Sequence, residues 1–370
     1  MATTYTAMLI DNPDTVLQRR GRDLKIYEEL LRDDQVKATF EQRRTSVVGA
    51  ETEVIPGGER PIDIEAADFI HEQIVGNIAW DAKCDKMLYG LFYGYGVAEC
   101  MWRITPTRVE LGDILVRDRS RFKYDTDKRL NLISIKHPTG QIMPDQKFWT
   151  FASGATDDDN PYGLGLAHHV YWPVFFKRND IKFWLIFLEK FGQPTAAAKL
   201  PSGKADDPAE RKKAMQVLNS IQTDGRVVIP EEMTIELIEA ARSGTADYDA
   251  LHERMDKAIS KAIVGQTMTT DDGSSLAQGK VHEGVAENIR KSDADLLCGS
   301  FNESVVRWLI DWNFPGAAYP KVWRKVEPPE DLVALAERDS KIITLGYEPT
   351  EEYIEETYVP GWRRKEAAPM

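Results

Sequence analysis

The sequence predicts an α+β fold that is mainly helical, and three observations lead there. Apolar residues recur at helical spacing over residues 15–45, 62–93, 164–191, 246–264 and 281–312. Between Val97 and Ser153 the period changes to two, the spacing of half-buried strands. With 370 residues, 42% hydrophobic and 29% charged, the chain is long enough for two or three domains and a sizeable core.

The elements follow in order. Residues 15–45 read as a charged helix with Leu24, Leu30, Leu31, Val36 and Phe40 on one face. "VIPGGERP" (54–61) breaks the chain, because adjacent Gly and Pro punctuate structure. Two helices come next, one carrying Ile62, Ala66, Phe69, Ile70 and Ile74, the other running from Trp80 to Tyr93 and closed by "GYG". "VAECMWRI", "RVELGDILV", "RFKYD", "LNLISIKH" and "KFWTFAS" then read as five short strands separated by turn residues. After the loop "GATDDDNPYG" (154–163), a long apolar helix runs from near Leu164 to Phe191. Pro173 lies inside it, so the helix is expected either to kink there or to start there. "FGQPTAAAKLPSGKADDP" ends that helix, and a short helix (209–222) with the strand pair "GRVVIP" and "TIELIEA" follows. A second long helix begins near Ala246, with Tyr248, Leu251, Met255, Ile259 and Ile263 on one stripe. It breaks at Gly265, a residue suited to a left-handed cap, and a third helix runs from Val281 to Trp312. "AAYPKVW" suggests a strand, and helices over 329–345 and 349–357 close the chain.

The chemistry is sparse. The formal charge is −13, with an isoelectric point near 5.1, so no basic excess exists to clamp nucleic acid tightly. Cys84, Cys100 and Cys298 lie too far apart for a zinc or disulfide framework, which points to a reducing compartment. No run of about 18 apolar residues predicts a membrane helix. The start "MATTYTAMLIDNPD" lacks the basic and apolar regions of a signal peptide, so the protein is expected to stay in the cell that makes it. "PSGKAD" (201–206) resembles a phosphate loop only in part. No Gly lies five residues before Gly203, and Ala205 stands where Ser or Thr should bind magnesium. Asp157, Asp158 and Asp159 could gather a hard cation, although a solvated acidic loop is the plainer reading. His168 and His169 are adjacent, so on a helix they point apart and suit no shared metal. No nucleophile elbow is present. The expectation is no catalytic residue, no metal and no cofactor. The runner-up is a metal-dependent phosphoesterase using Asp157, Asp158, Asp159 and His168.

The order of the parts says more. A helix goes out (164–191), an αβ excursion follows (192–241), and a helix returns (246–264), making a hairpin with a knob at its tip. Phe175, Phe176, Trp184 and Phe187 on such a stalk need a partner, and identical copies in a ring supply one. Five stretches carry a family resemblance: "GYGVAECMW" (94–102), "RSRFKYD" (119–125), "NPYGLGLAHHVYWPVFFKRNDIKFWLIFLEKFGQP" (160–194), "DKAISKAIVGQTMTTDDGSSLAQGKVH" (256–282) and "SFNESVVRWLIDWNF" (300–314). In this order, and from about residue 15 to 360, the chain resembles the portal proteins of Mu-like tailed bacteriophages.

The resemblance implies a portal fold assembled as a dodecameric ring at one capsid vertex, through which double-stranded DNA is packaged and ejected. It implies a wing (1–163), a stem helix (164–191), a clip (192–241), a returning stem helix (242–264), a tunnel loop (265–280), a long wing helix with a closing strand (281–327) and a crown (328–370). Relatives in the family continue further, so the crown is expected to be short. The implied partners are the terminase large subunit, a head-tail adaptor or neck protein, the major capsid protein and a scaffold, with no membrane. The implied location is the virion, after assembly in the host cytoplasm. In the tunnel loop, the hydroxyls of Thr267, Thr269, Thr270, Ser274 and Ser275 would meet phosphate oxygens, with Lys280 as the main cation. Asp271 and Asp272 would repel phosphate, so contact stays weak. Arg211, Lys212 and Lys213 are the expected clip contacts with other proteins. An acidic channel wall would let a duplex slide where fixed cations would hold it; ordinary solubility explains the charge equally well.

Overall fold

A computed structural model of the chain describes residues 9–21, 23–156, 159–191, 195–200, 203, 206–224, 234–238, 248–266, 276–326, 332–350, 353–354 and 357. They fall in two units, Met1–Lys325 and Val326–Met370.

In the first unit the helix expected over 15–45 is three: α1 (Thr15–Arg19), α2 (Lys25–Leu30) and α3 (Asp34–Val48). Two aspartates divide it. Asp14 accepts from the Val16 and Leu17 N–H groups at 2.9 and 3.3 Å. Asp33 accepts from Gln35 and Val36 N–H, both at 3.1 Å. Each satisfies the orphan donors of a new helix start, so capping outweighs the continuous apolar period. The strand β1 (Glu51–Ile55) overlaps the stretch read as a break. α4 (Pro61–Glu72) follows and passes through a π-helical turn, Gln73–Asn77, to α5 (Trp80–Met87) and α6 (Tyr89–Tyr93). Gly94 then turns the chain at φ +101, where a Cβ would lie 2.5 Å from the Tyr162 carbonyl oxygen.

The five expected strands are present as β2 (Tyr95–Ile104), β3 (Val109–Val116), β4 (Phe122–Tyr124), β5 (Leu130–Leu132) and, after the short additional β6 (Gln141–Ile142), β7 (Phe148–Ala152). They form two antiparallel sheets, β3-β2-β7 and β4-β5-β6. In the first, Ala98 opposes Val116 on one side and Trp149 on the other, with a bulge between Met101 and Trp102.

α7 (Leu166–Phe191) is one helix with Pro173 inside it, so the start lies at Leu166 and not at the proline. Beyond it, β8 (Thr195–Lys199) pairs antiparallel with a later strand, Thr234–Ile238, while α8 (Pro208–Asp224) lies between them in sequence. That later strand is β9. The expected strand 225–230 lies outside the described residues, and β8 stands as the observed partner of β9. The alanine run 196–198 has little intrinsic strand preference, and the cross-strand pairing supplies what propensity does not. α9 (Tyr248–Val264) packs along α7. The pair is antiparallel, since Phe187 meets Tyr248 at 5.7 Å while Lys177 meets Asp256 at 2.7 Å.

α10 (Leu276–Phe301) corrects one boundary. Residues 276–280, Lys280 among them, are helical rather than loop, because the helix starts five residues before the Val281 expected from the apolar pattern. A π-helical turn, Asn302–Val306, interrupts the expected 281–312 helix before α11 (Arg307–Asn313). β10 (Lys321–Lys325) realises the expected C-terminal strand and pairs antiparallel with β1, Glu51 opposite Lys325. The core gathers where α5, β7 and α10 meet: Trp149 lies 6.0 Å from Trp80 and 5.1 Å from Phe301, ring to ring. A second cluster joins Tyr95, Phe122 and Tyr124 of the two sheets with Tyr162 of the turn before α7.

In the second unit α12 (Leu332–Thr344) matches the expected helix over 329–345. Asp339, one turn from its end, accepts from the Tyr353 hydroxyl at 2.7 Å. Of the expected helix 349–357, residues 353, 354 and 357 are helical and 351–352 and 355–356 lie outside the described residues. Among the described residues no helix is long and apolar enough to cross a membrane.

Candidate functional site

The helix hairpin and the break after it form the candidate site, and buried charges anchor both. Lys177 projects from α7 with only 2% of its surface exposed. Its Nζ lies 3.2 Å from Asp33 Oδ2, 2.6 Å from Asp34 Oδ1 and 2.7 Å from Asp256 Oδ1. One ammonium thus ties α7 and α9 to the N-terminus of α3, and Asp33 serves at once as ion partner and helix cap. Burial opposes the charge on Lys177, but hydrogen bonds to Asp256 and Asp34 outweigh it and raise the ammonium's pKa above 10.5. The same hydrogen bond, more than any other cause, lowers the Asp34 carboxyl below 3.8. Asp33, Asp34 and Asp256 lie close enough together to hold a metal ion. The lysine ammonium already sits among them and offsets one of the three charges, so the residues present hold an internal cation.

The break is braced from two sides. Gly265 takes φ +73, its N–H still donating to the Lys261 carbonyl at 3.1 Å, as the expected left-handed cap requires. A Cβ there would lie 2.8 Å from Ile289 Cδ1, so α10 passes directly over it. Arg43 of α3 grips α10 through two bonds to Asp293, 2.6 and 2.8 Å long. Its remaining arm donates to the Ile263 carbonyl, one of the orphan acceptors at the end of α9. Gln35 Nε2 adds a 2.6 Å bond to Ser260 Oγ. At this joint lies a cavity of about 220 Å³ that Gln42, Ser46, Gln266 and Glu287 help to line.

Thr267, Thr269, Thr270, Ser274 and Ser275, with Asp271 and Asp272, lie outside the described residues, and Lys280 falls on the helical backbone of α10. At the far end of the hairpin α8 starts with Asp207 Oδ1 accepting from Ala209 N–H at 2.9 Å and with Pro208 in its first turn. Arg211, Lys212 and Lys213 sit exposed on that helix. Arg211 lies 3.4 Å from Asp206, and Lys213 lies 2.9 Å from Glu210. Intrachain pairing of two of the three leaves a mixed-charge tip.

Of the expected phosphoesterase constellation, Asp159 and His168 are described. Asp157 and Asp158 lie outside the described residues. His168 Nδ1 contacts Asp14 Oδ1 at 2.8 Å, and Asp14 also accepts from the Tyr27 hydroxyl, so this histidine serves to fix the N-terminal segment against α7. The His168 and His169 rings meet edge to face at 5.3 Å. Burial, aided by the charge of His168, lowers the pKa of His169. Cys84 and Cys100 are pushed up to about 12 and Cys298 to about 11 by burial, which holds all three as inert thiols. Of "PSGKAD", Gly203 and Asp206 are described, and Lys204 is not.

Sequence reasoning did not mark Lys177, Arg43 or Asp293. A signal existed for the first: Lys177 falls on the buried stripe of α7 with Val170 and Val174. A cation in an apolar stripe implies buried acidic partners.

The sequence model of the family described as portal protein of Mu bacteriophage matches residues 24–359. The chain is similar to the portal protein of Escherichia phage Mu, 28% identical over 289 residues that make up 76% of this chain and 55% of that protein. It is also similar to the Mu-like prophage FluMu protein gp29 of Haemophilus influenzae, 30% identical over 342 residues, 88% of this chain and 65% of that one. The chain therefore spans between about half and two thirds of the length of these curated relatives. Among solved structures it shares its fold with a chain from the neck of the empty gene transfer agent particle computed with C6 symmetry: TM-score 0.62, 13% identity, 95% of each chain covered. A chain from the neck of the native particle computed with C12 symmetry gives TM-score 0.62 at 12% identity, with 96% of each chain covered.

Proposed function

The chain belongs to the family of phage Mu portal proteins, and from that premise we propose that it closes into a ring of twelve identical subunits whose channel carries double-stranded DNA through one capsid vertex. The observation that supports this most is the outer face of α7. Trp172, Phe176 and Phe183 are 42, 50 and 57% exposed and fall within about 40° of one another around the helix, an apolar stripe that an isolated subunit leaves in water. Neighbouring copies would bury it, and the symmetric necks that share the fold supply the precedent for a closed count.

On this reading α7 and α9 are the stem, residues 192–241 the clip, and residues 1–163 the wing. Residues 281–327 add the long wing helix with its closing strand, and 328–370 the crown. Residues 265–275 form the tunnel loop, with Lys280 just beyond it at the start of α10. DNA contact is weak and without sequence preference. The clip docks the terminase large subunit during packaging and the head-tail adaptor afterwards, while the wing meets the major capsid protein and scaffold. Its place is the virion, reached after assembly in the host cytoplasm. The subunit carries out no chemistry, and the energy for DNA movement comes from a partner ATPase.

Mass photometry of the purified protein, followed by negative-stain imaging, tests the assembly. The expected species is a closed ring near twelve times 41.9 kDa, about 500 kDa. A monomer that persists across salt and concentration overturns the reading.

A further inference from the structure

The groove between α7 and α9 contains a carboxylate that its own chain leaves incomplete. It encloses about 580 Å³, with Phe176, Phe183, Phe187, Leu251 and Met255 in its walls and Asp180 among them. Asp180 is 4% exposed, and its Oδ2 meets no hydrogen-bond donor among the described residues. Buried carboxylate oxygens are almost always satisfied, so a lone one marks a missing partner. The groove around it stays open: Phe176, Phe183 and Leu251 are 50, 57 and 41% exposed. An apolar trough with an acidic wall fits a side chain with an aliphatic stem and a cationic head.

We propose that this side chain is Lys182 of the neighbouring subunit, whose ammonium pairs with Asp180 at every interface of the ring. The inference rests on the ring reading above. An α-helix turns about 100° per residue, so Lys182 stands about 200° around α7 from Asp180, on the opposite side. In a head-to-tail ring each subunit presents one side to one neighbour and the other side to the next. With Asp180 toward one neighbour and Lys182 toward the other, the carboxylate and the lysine meet at each contact. Arg178 shares the Lys182 side, but its guanidinium is already engaged by the Glu29 carboxylate at 3.6 Å and by the Glu29 carbonyl. Lys182 is exposed and makes no ion pair among the described residues. Leu185, one turn further along the same side, is 60% exposed and supplies apolar area to pack against the groove rim. The ion pair sets the register of adjacent stems: a slip of one helical turn, about 5.4 Å, strands the carboxylate.

Two single-cysteine variants, Leu251→Cys on the exposed groove wall and Lys182→Cys, test the contact when mixed in equal amounts, assembled and treated with a short bis-maleimide. Cross-linked dimers are expected from the mixture and from neither variant alone; Cys84, Cys100 and Cys298 are buried, and untreated background is read from the unsubstituted protein. In parallel, Lys182→Gln is expected to raise the concentration at which rings dissociate about tenfold, while Lys182→Arg holds it near that of the unsubstituted protein. The subunit melting temperature should not change with either. Rings that assemble with no cross-link, and that tolerate Lys182→Gln without loss, overturn the ion pair and leave the ring standing. If the unsubstituted protein forms no ring, the assembly reading falls and this inference falls with it.

Discussion

Replacing Lys177 with Met removes the ammonium from the joint of three helices while keeping an unbranched apolar stem of similar volume. The loss follows from what is left behind. Asp33 and Asp256, with side chains 6 and 27% exposed, are left without the ammonium, and among the described residues only His252 Nε2 remains beside Asp256, at 3.4 Å. Asp34 is 88% exposed and water resolvates it, so it adds little. Breaking a buried pair by removing one partner costs about 3 to 5 kcal/mol, and with Asp256 partly solvated the lower end, about 3 kcal/mol, is expected. For a unit of this size that corresponds to a melting temperature lower by roughly 4 °C at fixed protein concentration. Differential scanning calorimetry reads it, and hydrogen exchange should show faster opening at the start of α3 and the middle of α9. A double-mutant cycle isolates the cause: in an Asp256→Asn background one stranded charge is already gone, so Lys177→Met should cost about 1 kcal/mol less. The pH profile has a definite sign. Asp34, with a lowered folded pKa, contributes above its ordinary 3.8 and loses that contribution as pH falls through the folded value. Lys177, with a raised one, contributes fully below 10.5 and loses it as pH rises further. The contributions of Asp34 and Lys177 are therefore flat between about pH 4 and pH 10. A Lys177→Met loss under about 0.5 kcal/mol, or an equal loss in both backgrounds, refutes the reasoning.

Gly265→Ala imposes a left-handed residue with a Cβ under Ile289, and should cost about 1 to 2 kcal/mol, read as earlier melting and faster exchange at the end of α9; a neutral result would show that the cap is not strained. The Asp63 carboxyl is held down to about 2 by Arg60 and by the Ala318 N–H, so its contribution is present above 3.8 and lost as pH falls through about 2. Asp63→Asn should flatten the acid limb of the melting curve below about pH 4, and an unchanged limb would remove Asp63 from it. Reversing Arg211, Lys212 and Lys213 to Glu should leave rings intact and weaken pull-down of the terminase large subunit or adaptor; normal docking of both would move the contact elsewhere. Lys280→Ala should likewise leave rings intact and lower DNA retention in a packaging assay, with unaltered retention counting against its role.

Periodicity was a sufficient guide wherever one element buries one face. The α7 and α9 helices, the five strands from Tyr95 to Ala152 and the break at Gly265 all repeat a local pattern that the chain carries by itself. The five stretches that resemble portal proteins identified the family for the same reason: order along the chain is a one-dimensional property. Contacts between distant segments were not legible. β1 became a strand because β10 completes it from the far end of the unit, and β8 because β9 pairs with its alanines. Asp33 reads in sequence as one acid among many, and only packing brings it to Lys177 while it caps α3. The clamp of Arg43 on Asp293 and the Ile263 carbonyl, and the enclosure of Asp180 between α7 and α9, arose in the same way. A charge is stabilised by whatever lies within a few ångströms in space, and separation along the chain does not limit that distance. Local pattern therefore determined which segments are helix or strand, and the tertiary structure decided which of their charged residues hold the joint together.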